Sequence, residues 1–238
     1  CQEERIQELL ELFDAVTFKK KAHETVSRLQ DTVIANAQPD DIVILVHRIV
    51  ESDYQMSDIK VGVSRILNVL RRSIDNYPYK RPAKGTFLDI CIRNNDEIIR
   101  RFNKIRPHVH ELNKNDISEK DKIMLIELWQ DLKSVTDYYL IKENILFPLA
   151  ENHLSDYRCV AVMWSIHDDI RRNLNYLIDL LSSDSYELSD VNRLIGDLFF
   201  DINAIVFREE KLLYPFIEKN IPSQAIEELW NERVESGF

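Results

Sequence analysis

Glycine is scarce. Only Gly62, Gly85, Gly196 and Gly237 occur in 238 residues, against about 7% in an average protein. Twisted sheets, hairpins and phosphate-cradling loops all use glycine, because it alone takes positive φ readily. The four stand singly, so the chain has no phosphate-binding loop and no dinucleotide fingerprint. A mostly β protein and a nucleotide-binding α/β protein are both disfavoured. Cysteine is scarce too: Cys1, Cys91 and Cys159 are odd in number and far apart. That fits reduced thiols in a cytoplasm better than a disulfide scaffold. No apolar run approaches the roughly 18 residues of a membrane-crossing helix, and no signal peptide is visible. Cys1 in place of Met is expected to reflect a truncated start rather than a processed, lipid-bearing cysteine.

Positive charge is also short, at 31 Lys and Arg against 41 Asp and Glu, a net −10. A general nucleic-acid binder needs cationic surface to displace counterions, so nucleic acid is not an expected partner. The imbalance is uneven. Residues 1–85 are neutral, with 13 charges of each sign, and the whole excess falls on the remainder. Two modules are expected, over residues 1–75 and 86–238. The linker at 76–85 holds Pro78, Pro82, Gly85 and three cations.

Helical periodicity fills the rest. Ile6, Leu9, Leu10, Phe13 and Val16 recur at three- and four-residue steps, as one buried stripe requires. A second helix covers about residues 22–34. Pro39 opens a third, with Asp40 and Asp41 at the positive helix end. Ser57 is expected to cap a fourth that carries Val61, Ile66, Leu67 and Leu70 inward. Beyond the linker, longer helical stretches cover about residues 86–105, 118–150, 156–181 and 189–218, with a short final helix over 223–234. Pro107 is expected to end the first of them, and Met163 with Trp164 to pack in the core. Four long helices with short connections predict an all-α, up-down-up-down four-helix bundle, preceded by a small helical module.

An internal repeat carries the functional argument. Lys142-Glu143-Asn144-Ile145-Leu146-Phe147-Pro148-Leu149-Ala150-Glu151 returns as Glu209-Glu210-Lys211-Leu212-Leu213-Tyr214-Pro215-Phe216-Ile217-Glu218. The repeat places equivalent segments in the second and fourth long helices. A proline inside a helix removes one hydrogen bond and clashes one turn back, so its appearance twice in corresponding places is not incidental. Glu143, Phe147, Pro148, Glu210, Tyr214 and Pro215 define this structural motif.

On these residues the chain resembles the hemerythrin-like family, whose second and fourth helices carry an H-x-x-x-E-E-x-x-L-F-P type of motif. Ala161-Val162-Met163-Trp164-Ser165-Ile166-His167-Asp168-Asp169-Ile170-Arg171 resembles that family's third-helix M-W-x-x-H-D-E-I-R pattern. The resemblance covers about residues 86–230. Residues 1–75 resemble the helical module of unassigned function that precedes this domain in one bacterial branch. The resemblance implies a four-helix bundle around a non-haem di-iron centre, used for oxygen or nitric oxide binding, iron-centre repair or redox sensing.

The iron ligands implied by the resemblance are mostly missing. With the prolines as reference, the ligand Glu should lie six residues before each, at Lys142 and Glu209. The ligand His should lie ten before, at Tyr138 and Ile205. The third-helix His matches His167, and the first-helix His falls near Ile90. Only His167 and Glu209 keep a ligand type. The expectation is therefore a degenerate di-iron site with no cofactor, the family's di-iron centre being the alternative. Lys142 and Glu209 are expected to neutralise one another near His167 and Tyr138, with Arg171 one turn beyond. The function expected is a cytoplasmic regulatory, sensing or interaction protein, more in keeping with a non-catalytic role than with an enzyme; the alternative is a non-haem iron protein that binds oxygen or nitric oxide or acts in iron-centre repair. Its partner would be another protein, or a small ligand in the pocket among Tyr138, Lys142, His167 and Arg171.

Overall fold

The computed structural model describes residues 2–112, 118–154, 158–183 and 185–235; Cys1, Gly237 and the expected helix start near Asp156 lie outside them. The described residues contain helices and no strand. The N-terminal helices are α1 (Gln2–Phe18), α2 (Ala22–Leu29), α3 (Pro39–Val50) and α4 (Met56–Asp75). They are followed by α5 (Phe87–Leu112), α6 (Glu119–Val135), α7 (Tyr138–Ile141), α8 (Phe147–His153), α9 (Val160–Ser182), α10 (Leu188–Arg208), α11 (Tyr214–Asn220) and α12 (Ser223–Glu235). Three π turns interrupt the series, at Gln30–Ile34, Lys142–Leu146 and Glu209–Leu213.

By compactness the chain forms two units, one of Cys1–Arg81, Phe147–Trp164 and Phe207–Phe238, the other of Pro82–Leu146 and Ser165–Val206. This grouping departs from the sequence division at residues 76–85. The reason is packing: in the first unit α3 lies against the π turn at Glu209–Leu213 and against α11.

Within that first unit, α1 packs along α4, α3 and α2. Leu9, Leu12 and Phe13 have no exposure, and each such burial contributes about 1.5–3 kcal/mol. Gly62 permits the approach of α4 to α1, because a Cβ there would overlap Thr17 Oγ1 and the Phe13 ring. Arg65 closes the end of α1 by donating to the Val16 and Thr17 carbonyls, at 3.1 and 2.6 Å. That puts a cation where the helix dipole is negative. Pro39 stands at the first turn of α3, and the Gln38 N–H donates to Asp41 Oδ2 at 3.1 Å. Arg208 reaches Ser64 Oγ at 2.7 Å, Arg158 pairs with Glu51 at 3.1 Å, and Lys219 pairs with Asp40.

In the second unit four helical stretches close on one core: α5, α6 with α7, α9 from Ser165 onward, and α10. Phe102 of α5 meets Phe199 of α10 at 4.0 Å between ring centroids. Arg101 of α5 donates to Asp131 of α6 at 2.5 Å, and Lys122 of α6 donates to the Ser183 carbonyl at 3.1 Å. Ile98, Ile105, Trp129, Leu132, Ile170, Leu174, Leu198 and Ile202 are fully buried among them. The all-α bundle expected from glycine scarcity and periodicity is what the helices form.

Five local expectations are corrected. Pro107 lies inside α5, which continues to Leu112. A proline already has a helical φ, and the buried Phe102, Ile105 and Leu112 hold the helix across its one missing bond. Gln55, not Ser57, precedes the first residue of α4. Val61 is exposed, whereas Gly62 and Val63 face inward, one helical step on. Trp164 is 39% exposed while Met163 is buried, since adjacent helical residues point about 100° apart. The second long stretch also breaks at Thr136, whose hydroxyl donates to the Lys133 carbonyl at 2.7 Å and so competes with the helix ladder.

Candidate functional site

Both repeats fold in the same way: a π turn of five residues, then a short helix whose second residue is proline. In the fourth-helix copy, the Tyr214 N–H donates to the Glu209 carbonyl five residues back, immediately before Pro215. A π turn inserts an extra residue into the helical repeat. Consecutive side chains that an α-helix would send to different faces then both turn inward. Lys142 and Glu143 are the example, at 0% and 4% exposed.

These two residues anchor a buried polar cluster in the second unit. Lys142 Nζ donates to Asn95 Oδ1 of α5 at 2.6 Å and lies 5.3 Å from the centroid of the Tyr139 ring. Glu143 Oε1 accepts from His167 Nδ1 of α9 at 2.9 Å and pairs with Arg171 Nη1 at 2.9 Å. Facing a carboxylate, Nδ1 is the protonated nitrogen of His167. The imidazole stacks on Tyr139, with centroids 3.9 Å apart and planes within 7°. Arg171 also holds Asp168 at 2.6 Å. Burial works against the guanidinium charge, but hydrogen bonds to Asp168 and Glu143 outweigh it and hold its pKa above the usual value. One carboxylate, one imidazole and two cations therefore meet from two helical stretches, with an amide from a third.

Other positions singled out in the sequence fall as follows. Tyr138 is half-buried, and its neighbour Tyr139 has no exposure. Ile90 is half-buried on α5, more than one turn before Asn95. Ile205 is fully buried. In the first unit Glu209 has no exposure and accepts from the Tyr214 hydroxyl at 3.1 Å. Glu210 is half-buried, and together with burial and Glu218 its charge raises the pKa of Tyr79. Phe147 is fully buried, 6.2 Å from the Trp164 ring, while Pro148 is half-buried and Pro215 buried. Among the described residues, no group of three or more His, Cys, Asp or Glu side chains gathers to hold a metal ion.

The family model of the hemerythrin HHE cation-binding domain matches residues 86–217, more than half of the chain. The chain belongs to the hemerythrin HHE family. No curated protein and no solved structure gives a match. The hemerythrin HHE match covers the first repeat, the second but for its last residue, and the third-helix motif, with α5 to α10 and most of α11 inside it.

Three members of the cluster stand outside the residues singled out as site positions: Asn95, Tyr139 and Glu143, the last placed among motif residues. Asn95 carried a usable signal. It interrupts the apolar stripe Cys91, Ile92, Ile98 and Phe102 at helical spacing, and a polar residue on a buried stripe needs a partner. Counting back from Pro148 points to Tyr138 and Lys142, whereas Tyr139 rather than Tyr138 is fully buried and the π turn at Lys142–Leu146 brings Glu143 inward beside Lys142.

Proposed function

We propose that this hemerythrin HHE protein has a degenerate metal site, in which a buried ionic cluster stands where the family holds iron, and that it works as a non-catalytic regulatory, sensing or interaction protein. The observation that carries the reading is Lys142. It occupies the ligand position six residues before Pro148, fully buried and bonded to Asn95. An ammonium has three donors and no lone pair to offer a metal, and a guanidinium is equally unable to ligate. The nearby carboxylate of Glu143 is committed to His167 Nδ1 and to Arg171 rather than to a metal. Iron sites want several carboxylate and imidazole donors with open positions; this donor set does not fit a di-iron centre.

A metal-free bundle of this kind acts through its shape and contacts rather than through redox chemistry. Cys91 and Cys159, both buried and outside any disulfide, support a reducing compartment such as the cytoplasm. The deciding measurement is iron content and helicity of the protein purified from iron-supplied cells. Metal-free protein with full helical circular dichroism is expected. About two irons per chain, as di-iron carboxylate bundles hold, would overturn the reading in favour of an oxygen- or nitric-oxide-binding iron protein.

A further inference from the structure

Between α1 and α2 the chain turns through Lys19, Lys20 and Lys21, and this turn is strained. Lys19 has φ of 55° and Lys21 φ of 53°, both left-handed. That conformation is unfavourable for an L-residue, and glycine would adopt it freely. Such strain persists where surrounding structure imposes it, and it concentrates at ligand clamps. The turn forms one wall of a groove of about 760 Å³, lined by Glu11, Asp14, Phe18, Lys20, Lys21 and Tyr54. That volume falls within the range of about 300–1,000 Å³ seen for small-molecule sites.

The charges in the groove are not equivalent. Glu11 is engaged by Arg28 at 2.5 Å, and Asp14 accepts from the Tyr54 hydroxyl. Lys20 and Lys21 have no ion pair among the described residues. Beside them lies an aromatic shelf. The Phe18 ring stacks on Tyr54 at 6.0 Å with planes within 20°, and Phe13 buttresses Tyr54 edge-on at 5.4 Å. Phe18 remains 43% exposed, so part of its surface is open to a guest.

We propose that this groove binds a small planar aromatic anion, with its ring on Phe18 and its anionic group at Lys20 and Lys21. Mononucleotides and aromatic carboxylates share that chemistry. No glycine-rich loop is needed, because two ammonium groups rather than backbone amides meet the anion. The site belongs to residues 11–54 and is independent of the ionic cluster around Lys142.

The test is ligand-observed NMR titration of the full chain with AMP, benzoate, adenosine and inorganic phosphate. The expected result is saturable binding of AMP, of benzoate or of both, the stronger one naming the source of the anion. Adenosine and phosphate alone should each bind at least about tenfold more weakly, a loss of about 1.4 kcal/mol. The double variant K20E/K21E and the separate variant F18A should each weaken the bound ligand by a similar factor, with circular dichroism unchanged. The proposal is overturned if neither aromatic anion binds at millimolar concentration, or if phosphate alone binds as well. It is equally overturned if folded K20E/K21E and F18A both bind as the parent does, or if adenosine binds as tightly as AMP.

Discussion

Asn95 Oδ1 accepts a hydrogen bond from Lys142 Nζ at 2.6 Å, and neither side chain has any exposure. A buried ammonium is costly unless its donors are answered. Here the answer comes partly from a neutral amide on a separate helix, so the pair joins α5 to the π turn at Lys142–Leu146 as well as solvating a charge.

Replacing Lys142 by Met keeps the length of the side chain and removes its donors. Asn95 Oδ1 then stays buried without this hydrogen bond, a cost of about 1–3 kcal/mol for an unsatisfied acceptor. K142M should lower the urea midpoint accordingly. Combining it with Asn95→Leu should recover part of the loss, because both polar partners are then gone. An unchanged midpoint in K142M would show that the pair does not hold these helices together.

Glu143 is the hub of the other half of the cluster, since His167 and Arg171 both meet Oε1 at 2.9 Å. Glu143→Ala should cost about 2–3 kcal/mol, the scale of hydrogen bonds to a charged group. Glu143→Gln keeps an acceptor oxygen and should cost less than half as much. The sensitive readout is the His167 Nδ1 proton in NMR. It should be shifted far downfield in the parent, move upfield in E143Q and be lost to exchange in E143A. A resonance indifferent to both changes would mean that Glu143 does not fix the tautomer.

Gly62 tests the first unit. On helix propensity alone, Gly62→Ala should stabilise by about 1 kcal/mol. The added methyl would instead fall inside contact distance of Thr17 Oγ1 and the Phe13 ring, and both neighbours are buried. Overpacking of this kind costs about 1–3 kcal/mol, so G62A should melt below the parent. Gly196, with nothing near its Cβ direction, is the control: G196A should melt at or above it.

The contrast between Lys142 and Tyr139 shows what was readable before the structure. Helix, bundle and family followed from glycine scarcity, apolar spacing and a repeat, all of which survive shifts of a residue or two. Lys142 and His167 were found because each has a motif column of its own. The inward turn of Tyr139 and Glu143 is not legible in this way, because side-chain direction in a helix turns about 100° per residue and the π turn at Lys142–Leu146 adds one residue to that count. Asn95 belongs to α5, where the motif is weakest, and only its place on an apolar stripe marks it. The packing of α3 on the π turn at Glu209–Leu213 joins segments some 160 residues apart in sequence. Local periodicity holds no record of that contact.

Tyr54 gives the pH prediction. Burial first, then the hydrogen bond to Asp14 and its charge, push the phenol from 10.0 up to about 12. The folded state therefore keeps a proton that the unfolded chain releases above pH 10. Stability drawn from this group is fully present below pH 10 and falls as pH rises toward about 12, because over that window the native state binds more protons than the unfolded one. Tyr54→Phe removes the titration together with the hydrogen bond. Y54F should be less stable than the parent at neutral pH, and the difference should shrink steadily from pH 10 upward. A difference that stayed constant across that range would mean that the Tyr54 hydroxyl ionises as freely in the folded protein as in the unfolded chain.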